Sequence, residues 1–198
     1  MLPLEVLVNI LLELDIPSLT VFRCLNHRAR DLVDSLYQYA SILKHCPDVL
    51  RAIISIHAAH FPCHELYITL STTQCDTCNR VGGYLYLITC KRVCYHCFTA
   101  DLKCFPISAT YAARRTGMSR KRLGNLPSVR SLLGRYTGFA ELSRTRIMLL
   151  DRESVREIVP ETTFQSFSPP RDLTTTEPRR FMCIVTASFL IGAGQEAD

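Results

Sequence analysis

The chain has 198 residues, 47% of them hydrophobic, with ten cysteines, no tryptophan and a formal net charge of +5. That length and apolar content suit one domain, or a small module joined to a second. Eight glycines and ten prolines exclude a collagen-like or wholly disordered chain, and no run of about 18 apolar residues is present to form a conventional membrane span.

The opening run, MLPLEVLVNILLELDIP, is apolar but has no basic segment before it and contains Glu5, Glu13 and Asp15. Secretory signal cores exclude acids, so the reading is an intracellular protein of the cytoplasm and/or nucleus. Thiols stay reduced there, and clustered cysteines then read as metal ligands before disulfides.

Residues 2–37 read as three short helices. Pro3 suits a first helical turn, and Leu4, Leu7, Val8, Leu11 and Leu14 recur at spacings of three and four. Asp15 or Ser18 caps a second helix through Leu19, Phe22 and Leu25. After a break at Asn26, Ala29, Leu32, Val33 and Leu36 form a third stripe. Helices this short are not stable alone. The further apolar positions Val6, Ile10, Ile16 and Val21 imply burial on more than one side, and so a partner.

Leu2-Pro3, Glu5-Val6, Ile10-Leu11, Leu14, Pro17-Ser18-Leu19, Arg23, Leu25-Asn26 and Arg30 together resemble the F-box motif. The resemblance implies a three-helix module docking on a Skp-type adaptor, and through it a cullin, in a Skp–cullin–F-box ubiquitin ligase. It assigns the contact to Leu2, Pro3, Val6, Ile10, Leu14 and Leu19.

Residues 42–60 continue as helix through Val49, Leu50, Ile53 and Ile54. His57, His60, Cys63 and His64 are close in sequence, but Pro62 breaks the helix between them, and a converging metal site is not the reading there. Next comes Cys75-x2-Cys78, then fifteen residues, then Cys94-x2-Cys97. Two thiolates separated by two residues can face one ion from a tight turn, and two such turns complete a tetrahedron. The spacer carries Gly82-Gly83 and a β-rich run from Tyr84 to Thr89, so the unit reads as a zinc-stapled hairpin of treble-clef or ribbon type. Cys90 and His96 stand close enough to substitute for a ligand. Four protein thiolates leave no position for water, which makes the zinc structural. The segment is similar to the Cys-rich block that follows the F-box in a group of fungal F-box proteins.

Residues 111–150 hold nine basic and one acidic side chain, so the net charge is concentrated here. The basic residues of 112–135 are interleaved with Leu123, Leu126, Val129, Leu132 and Leu133, which reads as the solvated face of an amphipathic helix. The rival reading is a zinc-containing nucleic-acid-binding protein using residues 112–135. Aromatic side chains for base stacking come only at the end, as Tyr136 and Phe139, so nucleic acid is disfavoured. Residues 141–160 read as another helix through Ile147, Leu149, Leu150, Val155 and Ile158. A Thr-, Ser- and Pro-rich linker follows, and the tract Phe181 to Gly194 reads as a buried strand and not an anchor.

The expected architecture is mostly α (α+β): an F-box over 1–40, a helical and zinc-hairpin body over 41–160, and a linker with an apolar tail over 161–198. No phosphate loop, nucleophile elbow or H-E-x-x-H is present, so the reading is a substrate receptor without catalysis of its own. Its protein substrate is not written in the sequence.

Overall fold

The computed structural model describes residues 3–136, 142–159 and 178–190. Six helices come first: α1 (Leu4–Leu12), α2 (Ile16–Arg23), α3 (His27–Asp34), α4 (Tyr37–His45), α5 (Pro47–Ile56) and α6 (Cys63–Ser71). Polar caps and prolines set their starts. Asp15 accepts the Ser18 N–H at 2.7 Å and Asn26 accepts that of Ala29 at 2.8 Å, while Pro47 occupies the first turn of α5. Arg23 at the end of α2 makes two bonds to the Asp34 carboxylate at the end of α3, 2.6 and 3.0 Å long, which locks these helices at their C-terminal ends.

The chain then forms the hairpin β1 (Tyr84–Tyr86) and β2 (Lys91–Val93), followed by α7 (Tyr95–Ala100) and a 3-10 turn at Leu102–Cys104. Next are β3 (Ile107–Ser108), α8 (Ala109–Thr116), α9 (Arg120–Leu123), β4 (Ser128–Arg130), β5 (Met148–Leu150) and α10 (Arg152–Ile158). The last described elements are α11 (Pro178–Phe181) and β6 (Ile184–Thr186). Two antiparallel sheets result, ordered β2-β1-β6 and β3-β5-β4.

The tract from Phe181 does hold a strand, but β6 is only three residues long and half-buried to exposed, not the buried strand expected; it pairs with the free edge of β1, with Leu85 opposite Val185. The expected linker lies mostly outside the described residues. One hydrophobic core runs from Leu11, Ile16 and Leu19 through Ile42, Ile53 and Leu66 to Leu85, Phe98, Cys183 and Leu190. The packing therefore continues without a break past residue 40. A second core of Ile107, Ala112, Leu123, Leu150 and Val155 lies under the other sheet.

Three helical expectations are corrected. The 42–60 helix breaks at Cys46 and ends at His57, which takes a left-handed φ of 55°. The basic stretch is not one helix: α8 ends at Gly117 in the left-handed region (φ 69°), α9 ends at Gly124, and Ser128–Arg130 is a strand. In the 141–160 segment, Met148–Leu150 is the central strand of a sheet, and the helix starts only at Arg152. The stop is Asp151, whose carboxylate accepts the Ser154 N–H at 2.8 Å and the Tyr86 hydroxyl at 3.3 Å. Asp151 is itself buried, so it ties the two sheets together from a helix cap. Asp151→Ala is expected to cost about 1–2 kcal/mol, the upper part of the range for a lost cap. Urea unfolding with an unchanged slope and a lower midpoint would register it.

Candidate metal centre and docking face

The first cysteine pair sits in a knuckle. Thr73 and Gly82 join across its base, where the Gly82 N–H donates to the Thr73 carbonyl at 2.9 Å. Within the loop the Cys75 N–H donates to the Arg80 carbonyl at 2.6 Å and the Asn79 N–H to the Cys75 carbonyl at 2.9 Å. Asn79 takes φ 58°, a left-handed position that asparagine tolerates better than most residues, and this closes the turn. The knuckle is bound to β2 through the Asp76 N–H and the Arg92 carbonyl, 2.8 Å apart. The second pair follows directly from β2. Cys94 caps α7, its sulfur accepting the Cys97 N–H at 3.4 Å.

The hairpin therefore brings both pairs to one point. The Sγ atoms of Cys75, Cys78, Cys94 and Cys97 all lie within 4.8 Å of one another, and those of Cys78 and Cys94 are 3.6 Å apart. A tetrahedral ion with metal–sulfur bonds of about 2.3 Å needs sulfurs about 3.8 Å apart. The donor set fits. Cys75, Cys94 and Cys97 are buried and Cys78 is exposed.

Burial alone would raise the Cys75 thiol, but N–H groups of Thr77, Cys94 and Cys78 point at its sulfur, and the balance brings it down to about 7. Cys97 moves the opposite way, pushed up by burial and by the neighbouring sulfurs. Once one thiolate forms, the others resist ionising beside it. A dication among the four sulfurs removes that conflict, and the arrangement suits a metal better than four free thiols.

Two candidate substitutes fall outside the centre. Cys90 occupies the hairpin turn with φ 52°, is buried, and directs its sulfur to the Thr69 hydroxyl at 3.7 Å. Burial pushes its thiol up to about 12, the environment of an inert packing cysteine. His96 is exposed on α7, outside the group of converging sulfurs. Of the upstream cluster, His60 reaches the Ser128 hydroxyl at 3.4 Å, His64 faces Glu13 at 3.4 Å, and Cys63 is fully buried.

The second candidate site is apolar and lies on α1 and α2. Pro3, Val6 and Ile10 are exposed, with Val6 and Ile10 one helical turn apart. Leu14 is half-buried and opens a groove of about 410 Å³ with Pro17, Ser18, Val21, Phe22 and Leu25. Val21 and Leu25 are 66% and 65% exposed, large values for aliphatic side chains with no polar function. Leu19 is corrected: it is completely buried in the chain's own core and faces away from this groove. Leu2 lies outside the described residues.

The ridge Pro17, Val21, Leu25 at four-residue spacing is the sequence signal for the groove. The corner between the helices is held from below, where the Cys63 N–H donates to the Leu14 carbonyl at 2.9 Å. The exposed face is thus presented by a supported corner, not by a loose terminus.

An exposed apolar helical face together with four converging thiols that could hold a metal ion is the arrangement of an interaction module more than of a catalytic one. Residues 1–41 match the family model of the F-box domain. No curated protein and no solved structure matches the chain. The matched residues take in α1 to α3 and the start of α4; F-box domains generally bind Skp-type adaptors and serve as the substrate-adaptor side of ubiquitin ligases. F-box proteins are typically adaptors without enzymatic activity. Among the described residues no helix is long and apolar enough to cross a membrane.

Proposed function

We propose that the chain is a substrate receptor of a Skp–cullin–F-box ubiquitin ligase, acting in the cytoplasm and/or nucleus and performing no catalysis itself. The observation that carries this is the F-box match over residues 1–41 coinciding with an exposed apolar face of Val6, Ile10, Val21 and Leu25. A Skp-type adaptor covers the outer side of α1 and the groove on α2, with Pro3, Val6, Ile10 and Leu14 in contact and Leu2 ahead of them. Val21 and Leu25 belong to the same contact. The body from residue 41 onward presents a protein target, and the ligase gains rate by raising the local concentration of target lysines.

The metal is zinc in a structural role, held by Cys75, Cys78, Cys94 and Cys97. It staples the knuckle to the start of α7 and supplies no chemistry to a substrate.

Co-purification with a Skp-type adaptor tests the docking. Val6→Asp with Ile10→Asp, and separately Val21→Asp, are expected to weaken binding at least about a hundredfold, since each buries a charge in an apolar contact. Both sites are exposed in the free chain, so its thermal midpoint is expected to stay within about 3 °C of the parent. Undiminished binding by both variants contradicts the assignment.

A further inference from the structure

Past the last rung of the second sheet, the arms of β4 and β5 run on as a paired extension. The Gly134 N–H donates to the Ser143 carbonyl at 3.1 Å, and the Ser143 N–H returns the bond to the Gly134 carbonyl at 2.9 Å. Tyr136 turns back along its own arm, its hydroxyl donating to the Leu132 carbonyl at 2.7 Å while its ring packs on the main core. At the base the Ser131 N–H donates to the Ile147 carbonyl at 2.9 Å, and Arg146 donates to the Ser55 carbonyl of α5 at 2.9 Å. The extension is thus held in shape at both ends.

This supported structure presents apolar side chains to solvent. Leu132, Leu133 and Leu142 are 38%, 61% and 53% exposed. Leu132 and Leu133 are consecutive, and neighbouring side chains leave an extended chain in different directions. The apolar surface therefore turns around the arm and is not confined to one side. Four arginines frame it: Arg135 and Arg144 beside the paired rung, Arg130 and Arg146 nearer the sheet, all of them exposed. Among the described residues none of the four is in an ion pair. Over 130–146 the sequence carries a single acid, Glu141.

The partner follows from that pattern. Exposed leucines cost free energy in water that burial recovers, and unpaired guanidiniums call for an anionic surface. A folded protein covers one side of such an arm and must match its shape. A lipid surface surrounds it: the acyl boundary takes up apolar side chains in every direction, and each guanidinium among anionic headgroups adds about fivefold to the affinity.

We propose that this extension docks on an anionic phospholipid membrane, Leu132, Leu133 and Leu142 entering the headgroup region and Arg135 and Arg144 lying nearest the lipid anions. The contact is peripheral and needs no spanning helix. It goes beyond the substrate-receptor reading and does not rest on it.

The test uses the full chain, zinc included, sedimented with vesicles of phosphatidylcholine alone or of three parts phosphatidylcholine to one part phosphatidylserine. Binding to the mixed vesicles is expected to be at least about tenfold tighter and to weaken as salt is added. Arg135→Gln with Arg144→Gln is expected to weaken it about thirtyfold, from two lost charges. Leu133→Ser with Leu142→Ser is expected to weaken it at least about tenfold with every charge kept. All four side chains are exposed, so the thermal midpoint is expected to stay within about 3 °C of the parent. The chain has no tryptophan, so Leu133→Trp places a single reporter on the extension, and its emission is expected to move to shorter wavelength on the mixed vesicles. Equal binding to the two kinds of vesicle overturns the proposal. Undiminished binding by the serine variant, or an unmoved emission in the bound state, also overturns it, because either leaves adsorption of charge alone. Binding to soluble polyglutamate as tight as to the mixed vesicles points to an acidic protein partner and overturns it as well.

Discussion

Metal analysis of the native protein is expected to return one zinc per chain, and Cys75→Ser or Cys97→Ser is expected to lose both the zinc and the fold of the middle region. The argument is energetic. Structural zinc in small peptides contributes about 10–16 kcal/mol of apparent binding free energy, and a site absent from the unfolded chain converts that into folding free energy. A domain this size has only about 5–15 kcal/mol in total. Here the knuckle has little else. Asp76, Thr77, Cys78, Asn79, Arg80 and Val81 are all exposed, and the loop is held by backbone bonds and by Cys75. Loss of the ion removes the link between that loop and α7 and leaves buried thiols with unmatched N–H donors. Because the hairpin shares its core with the F-box helices, the loss propagates to them. A fall in thermal midpoint of at least about 10 °C is expected, from 2–4 °C for each kcal/mol at this chain length. Cys90→Ser is the control. Its sulfur faces Thr69, so that variant is expected to keep the zinc. A native chain with no bound zinc, or a Cys75→Ser chain that retains it, contradicts the assignment.

What was legible in the sequence is what local rules determine. The first helices were readable because their caps, prolines and apolar spacing all act within four residues. The convergence of the four cysteines was readable because a pair of cysteines two residues apart has little geometric freedom, and the glycine pair with a β-rich run joins the two pairs by one short hairpin. The misread segments fail for a common reason. Leu149 and Leu150 fit a helical stripe equally well, and only pairing with Val129 and Ser128 on one side and Ser108 and Ile107 on the other, twenty or more residues away, makes them a strand. Leu123, Leu126 and Val129 likewise fit a stripe, but Gly117, Gly124 and Pro127 divide it, and those residues outweigh spacing. Leu19 belongs to the motif, yet the motif does not say which of its residues hold the module together and which leave it open. That distinction requires the surrounding helices.

Arg92 illustrates the same limit in a single residue, and its substitution is expected to be among the most damaging in the chain. In the sequence it is one more basic residue beside Lys91. In the fold it is 2% exposed and, among the described residues, has no carboxylate partner. Its guanidinium donates instead to the carbonyls of Thr69, Leu70, Gly82, Ala187 and Ser188, at 2.8 to 3.2 Å, with the Phe189 ring 4.6 Å from its central carbon. Burial lowers its pKa, but a guanidinium remains charged in a protein, and five carbonyl dipoles replace its water. Two of those carbonyls belong to the last turn of α6, the negative end of its dipole. One side chain thereby joins a helix end, the base of the metal knuckle and the segment that follows β6. Gly82 is small for the same reason, since a Cβ there would lie 2.7 Å from the Arg92 Cγ. Arg92→Met preserves the aliphatic stem and strips the guanidinium from all five carbonyls; Thr69 keeps the Thr72 hydroxyl, Leu70 the Leu190 N–H and Ser188 the Cys46 thiol, so the loss falls on Gly82 and Ala187. The expected cost is about 2–6 kcal/mol, at about 1–3 kcal/mol for each of the two buried carbonyls left without a donor. Arg92→Lys is expected to recover only part of it, because an ammonium has three donors where the fork has five. The readout that identifies the role is local. The β6 ladder and the bonds from Ala187 to Gly83 and from Leu190 to Leu70 remain available, yet the residues after β6 lose their central tie. Amide exchange at Ala187 to Leu190 is expected to accelerate well before α1 to α3 are affected. If Arg92→Met unfolds within about 1 kcal/mol of the parent and exchange there is unchanged, the ladder alone holds the segment and the guanidinium is only packed against it.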